Sequence, residues 1–141
     1  MPTWDAGNTG FMLLATSLVM LMTPGLAFFY GGLVGRKNVL AIMIQSFVSM
    51  GWTTVIWYLF GFSMCFSGNC VDGTDLLGGI VGNFNWVFFS GIDLSTSSAV
   101  STAAGNIPIF GNAGIPMVVF IAYQMMFAII TPALITGAFA N

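Results

Sequence analysis

Three apolar runs without a single charged side chain constrain this chain more than any other feature. They cover about 10–34, 39–66 and 115–140, roughly 24 to 28 residues each. About 20 helical residues cross a hydrocarbon core of about 30 Å. Inside lipid the backbone must satisfy its own hydrogen bonds, so such runs are expected to be helices. The predicted fold class is therefore all-α, a polytopic membrane protein with three transmembrane helices. The second run is long enough to tilt or to project beyond the core. A soluble alternative fails on charge, because only 4% of the residues are charged, against about 25% in an average soluble domain.

The only two basic residues, Arg36 and Lys37, lie in the four-residue link 35–38 between the first two runs. A link this short forces a tight antiparallel hairpin, and basic short loops stay cytoplasmic. Asp5, Asp72, Asp75 and Asp93 all fall on the opposite side. The expected topology has the N-terminus outside, the hairpin inside, an outer loop over 67–114, and the last residues at the cytoplasmic face. Met1-Pro2-Thr3-Trp4-Asp5 lacks a basic leader region, and the first run is too long for a signal peptide core. It is read as a retained span. Within the outer loop, 76–92 is apolar but broken by four glycines and two asparagines, which predicts a short interfacial helix or a packed loop. The alternative is a fourth span of marginal length, which would put the last residues outside.

Several function classes lose support. Two adjacent cations do not make a nucleic-acid surface. The chain has no His and no Glu, so acid–base, nucleophilic or metal chemistry would rest on four Asp and two Cys. Phosphate-loop, dinucleotide and Cys-x-x-Cys motifs are missing. The expectation is a non-enzyme with no cofactor and no metal site.

The candidate functional residues lie in the third run. Tyr123 and Phe127 are four apart and share a helix face. Their ring faces can attract a small desolvated cation, or simply pack. Gln124 adjoins that face, and a buried amide in a membrane helix needs a partner or water. Gln45, Ser49 and Thr53 share a face of the second run and can bond a neighbouring helix or line water. Pro24 and Pro132 can kink their helices. Gly31 with Gly35, and Gly78 with Gly82, have the Gly-x-x-x-Gly spacing that lets helices approach closely. Cys65 and Cys70 flank the outer end of the second run, as a disulfide or as two thiols.

Longer stretches carry a family resemblance. Met22-Thr23-Pro24-Gly25-Leu26-Ala27-Phe28-Phe29-Tyr30-Gly31-Gly32-Leu33 with Arg36-Lys37-Asn38-Val39-Leu40 resembles the first helix and turn of the ammonium transporter family (Amt/MEP, related to Rh proteins). Trp57 to Phe66 resembles the end of its second helix, and Gly82-Asn83-Phe84-Asn85-Trp86 its outer loop. Tyr123 to Thr131 and Ala133 to Ala138 resemble its third helix. The motifs occur in the family's order across about residues 5 to 140.

The resemblance implies the first three helices of an eleven-helix ammonium transporter fold. It implies that 1–141 is the N-terminal part of one transporter domain, with homotrimers of one pore per subunit and a multi-pass place in the plasma or inner membrane. It also implies transport of ammonium or ammonia, with methylammonium as a possible analogue. By resemblance, Tyr123 and Phe127 are substrate-binding at the outer vestibule, Phe127 is the upper gate ring, and Gln124 lines the pore. The remaining vestibule groups, the second gate ring and the paired pore histidines belong to later helices. An ammonium sensor using the same scaffold, with a signalling domain beyond residue 141, is the alternative reading. Two departures stand out. Tyr123 occupies a position where some members have Phe, and the Glu-Arg pair that usually follows the third helix is replaced by the end of the chain at Asn141. The latter is read as a fragment boundary.

Overall fold

A computed structural model describes residues 5–67, 81–90, 92, 115–135 and 138. Every regular element among them is helical. The order is α1 (Ala6–Leu33), α2 (Val39–Ile56), a π-helical turn (Trp57–Gly61), α3 (Phe62–Phe66), a 3-10 turn (Val87–Phe89) and α4 (Met117–Ile135). The stretches Ala6–Leu33, Val39–Phe66 and Met117–Ile135 are each long and apolar enough to cross a membrane, as the three runs predict. Much of 67–114, with the Gly78 position and Cys70, lies outside the described residues, as does most of the segment after α4.

The first helix starts four residues before its apolar run. Asp5 explains this: its backbone is extended and its side chain accepts a hydrogen bond from the Gly7 amide at 3.0 Å. That satisfies one of the amides a helix start leaves unpaired. The helix continues through Pro24, and α4 continues through Pro132. Neither proline ends its helix, so their contribution is a missing donor inside a continuous span.

After α1, Val34 is extended, and the Asn38 amide bonds the Gly35 carbonyl at 2.9 Å to close the turn. Arg36 and Lys37 are exposed at its tip. The hairpin is as tight as the short link requires, and α4 packs against both α1 and α2.

The buried residues of α1 are Thr23, Ala27 and Gly31, small side chains spaced four apart on one face. Small residues let membrane helices approach closely, and packing rather than hydrophobic transfer drives their association. A β-carbon on Gly31 would lie 3.3 Å from Met43 Sδ and 3.4 Å from Val39 Cγ1, both on α2. Gly35 has nothing within 4 Å, so only the first glycine of that pair makes a close approach. Gly31→Leu is expected to cost about 1–3 kcal/mol by overpacking. Thermal unfolding in detergent measures this, and an unchanged midpoint would rule out the close approach.

In α2, Ser46 is the buried polar residue, and its hydroxyl bonds its own helix at Ile42 O, 3.1 Å away. Gln45 is exposed, and Ser49 and Thr53 are half-buried. The stripe read from the sequence therefore does not form the buried interface. Tyr30 Oη bonds the Leu134 carbonyl at 3.3 Å, tying the ends of α1 and α4 together.

The second span is not a uniform α-helix. The Phe62 amide reaches back five residues to the Trp57 carbonyl. The extra residue in the turn offsets α3 from the α2 pattern by about 100°. Trp57, Phe62 and Ser63 are consequently all buried.

Beyond α3, the described residues 81–90 fold back on the helix end as a packed loop that holds a 3-10 turn over Val87–Phe89. Trp86 stacks on Phe62, with centroids 6.0 Å apart. Phe62 meets Phe89 edge-on at 5.6 Å, and Phe66 meets Phe120 of α4 edge-on at 5.3 Å. An aromatic core therefore ties the loop around Trp86, the second span and α4 together.

Candidate functional site

The site residues follow from the register of α4. Its first turn is anchored at Pro116, whose carbonyl accepts from the amides of Val119 and Phe120 at 3.0 and 3.3 Å. Met117, Phe120 and Ile121 are then buried in the aromatic core. Tyr123, Gln124 and Phe127 follow at the edge of that core, where Tyr123 and Gln124 are half-buried and Phe127 is 39% exposed.

Tyr123 and Phe127 form an edge-to-face pair, with centroids 4.9 Å apart and planes at 77°. This geometry suits the ring quadrupoles, positive edge against negative face. It also leaves ring faces that the partner does not cover.

Phe127 and Gln124 line an open groove of about 260 Å³ together with Trp57, Cys65, Phe66, Ala128 and Thr131. Tyr123 stands beside Phe127 but does not line the groove. The structure thus places two of the three predicted site residues in one groove and the third against the Phe127 ring. The Thr131 hydroxyl bonds the Phe127 carbonyl at 2.8 Å, leaving Gln124 as the amide facing the groove. The Trp57 indole N–H is buried with no acceptor among the described residues. Its ring is held by packing, edge-on to Phe62 at 5.8 Å and to Phe66 at 6.3 Å.

A small cation entering this groove would meet the aromatic side chains of Trp57, Phe66 and Phe127, the Gln124 amide, the Cys65 thiol and Thr131, with no carboxylate among the lining residues. Desolvated cations are held by ring faces with about 2 kcal/mol or more. Among the described residues no group of three or more His, Cys, Asp or Glu is placed to hold a metal ion. Cys65 is a free, exposed thiol.

Sequence reasoning missed the wall formed by Trp57, Cys65, Phe66 and Thr131. Thr131 lies four residues after Phe127, so helical spacing alone could have added it. The second-span residues depend on how α3 is rotated by the π turn, which hydropathy does not reveal.

The profile of the Ammonium Transporter Family matches residues 10–141. An ammonium transporter of Mycobacterium tuberculosis is 46% identical over 97% of this chain and 28% of its own length. One from Bacillus subtilis is 37% identical over 96% of this chain and 28% of its own length. Ammonium transporter Amt1 of Archaeoglobus fulgidus is 35% identical over 96% of this chain and 27% of its own length. The chain therefore spans a little over a quarter of the length of these relatives.

Proposed function

Because the chain belongs to the ammonium transporter family, we propose that it forms the first three spans of a transporter that moves ammonium or ammonia across a membrane. The observation that carries this reading is the Tyr123–Phe127 ring pair, 4.9 Å between centroids, beside a groove shared by Phe127 and Gln124. Ammonium is a compact cation whose lost hydration must be replaced, and uncovered ring faces do this without a counter-charge. Tyr123 and Phe127 bind the substrate, and Gln124 lines its path. The relatives' names are those of transporters, and the sensor alternative has no observation in its favour.

The covered share of the Mycobacterium tuberculosis relative, 28%, is close to three spans of eleven. The complete pore accordingly draws on segments equivalent to the rest of the relatives' length, and a homotrimer is the assembly the family resemblance implies. No step of the proposal needs an enzyme's acid, base or nucleophile on this chain. Uptake of labelled methylammonium by the full-length protein carrying this chain, in cells lacking other ammonium transporters, tests the reading. Absence of uptake with the protein present in the membrane would overturn it.

Orientation follows from Arg36 and Lys37, which sit exposed at the hairpin tip. The N-terminus is outside and the hairpin inside a plasma or inner membrane. In a background where Cys65 and Cys70 are replaced by serine, Lys37→Cys is expected to react with an impermeant maleimide only after permeabilisation. Labelling of intact cells would reverse the topology.

A further inference from the structure

The outer end of the second span carries a polar cluster that the transport reading leaves unused. Ser63 and Ser67 are 1% and 3% exposed. Helix C-termini leave carbonyls unpaired, and here the returning loop supplies the missing donors. The Gly82 amide bonds Met64 O at 2.8 Å, and the Asn83 amide bonds Ser67 O at 2.9 Å. Ser63 Oγ donates to the Asn83 carbonyl at 2.7 Å and accepts from the Trp86 amide at 3.1 Å. Ser67 Oγ reaches the same Asn83 carbonyl at 2.5 Å and also contacts the Ser63 carbonyl.

Gly82 makes this approach possible. A β-carbon there would overlap the Ser67 carbonyl oxygen and come within 2.8 Å of those of Ser63 and Met64. All three obstacles are backbone atoms, so no side chain can swing aside.

The clamp holds a strained loop. Phe88 and Phe89 both have φ of 56°, in the left-handed region that non-glycine residues avoid. Such strain persists only when the surroundings over-determine it. Here Tyr58 meets Phe88 at 5.8 Å and Phe89 at 5.2 Å, both edge-on.

The consequence reaches the groove. Trp86, fixed through its amide on Ser63, stacks on Phe62, which packs on Phe66 at 5.1 Å. Phe66 in turn touches Phe120 of α4 and forms the groove wall that faces Phe127 and Gln124. We infer that Gly82, Ser63 and Ser67 are positioning residues: by locking the outer loop on the end of the second span they set the distance between the Phe66 wall and Phe127, and thereby the protein's affinity for ammonium. This role rests on the transport reading above.

Methylammonium uptake by the full-length protein carrying this chain tests it, with KM and Vmax normalised to copies in the membrane. Gly82→Ala is expected to raise KM about fivefold or more, since small displacements of positioning groups are costly, with Vmax per copy held within about twofold. Ser67→Ala keeps both backbone bonds and is expected to raise KM about threefold. A purely structural clamp would lower the number of membrane copies and leave KM unchanged, and that outcome in both variants overturns the inference. If Gly82→Ala does not reach the membrane, the KM of Ser67→Ala decides. Absence of uptake by the unaltered protein is a separate result, which overturns the transport reading and this role with it.

Discussion

Phe127→Ala in the full-length protein carrying this chain is expected to reduce methylammonium uptake at low substrate concentration by about tenfold or more. A desolvated cation–π contact contributes about 2 kcal/mol, and every 1.4 kcal/mol is about a factor of ten. The ring makes its edge-to-face contact with Tyr123 at 4.9 Å, and it is 39% exposed beside the groove. Its removal therefore takes away a binding surface without opening a sealed core. Copies in the membrane should stay near the unaltered level while uptake falls. Phe127→Tyr and Phe127→Trp keep an aromatic face and should retain more uptake than Phe127→Leu, which keeps only bulk. Equal uptake for the leucine and aromatic variants would show that the ring acts by volume, and unchanged uptake after Phe127→Ala would remove it from the site.

That ordering also separates the role of Phe127 from that of its neighbour. Tyr123 is half-buried and lies against Phe127 without lining the groove. In the proposed function its contribution to the groove is therefore indirect, through the orientation of the Phe127 ring. Gln124 is on the groove wall itself. An amide can both donate and accept hydrogen bonds, so it suits either a hydrated cation or neutral ammonia.

What the sequence made legible were the features set by local rules. Span length and lack of charge marked the three helices, because a bilayer imposes both. The four-residue spacing of Tyr123 and Phe127 placed them on one face because helix geometry does. The start of α1 lay further out than the apolar run because capping by Asp5, a polar interaction, extends the helix where hydropathy is silent. The π turn at Trp57–Gly61 was hidden for a related reason: hydropathy is the same whether an amide reaches back four residues or five. Gly82 is one of 18 glycines, and its spacing from Gly78 suggested helix packing. The structure instead places it in a non-helical segment against the carbonyls of Ser63, Met64 and Ser67. Only the return of the loop onto the helix end distinguishes it from a glycine in an ordinary turn.

Phe62→Ala is expected to have the largest effect on stability, about 3 kcal/mol. The side chain is fully buried. Its ring contacts Trp57, Phe66, Trp86 and Phe89, with centroids 5.1 to 6.0 Å away. Removing it leaves a cavity that four rings border, beside the hydrogen bonds from the Trp86 amide to Ser63 Oγ and from the Gly82 amide to Met64 O that resist its collapse. Lipid lowers the transfer part of the cost, because helix association in a bilayer does not rest on hydrophobicity. The lost dispersion contacts and the cavity remain. Phe62→Leu, which keeps much of the volume, should cost less than about 1.5 kcal/mol. Unfolding of the purified full-length protein in detergent measures both. Phe62→Ala should also lower membrane copies, the opposite pattern to Phe127→Ala, where copies persist and uptake falls. Equal stability of the alanine variant and the unaltered protein would mean that the aromatic core does not hold the loop around Trp86 to α4, and the link from the clamp to the groove would lose its physical basis.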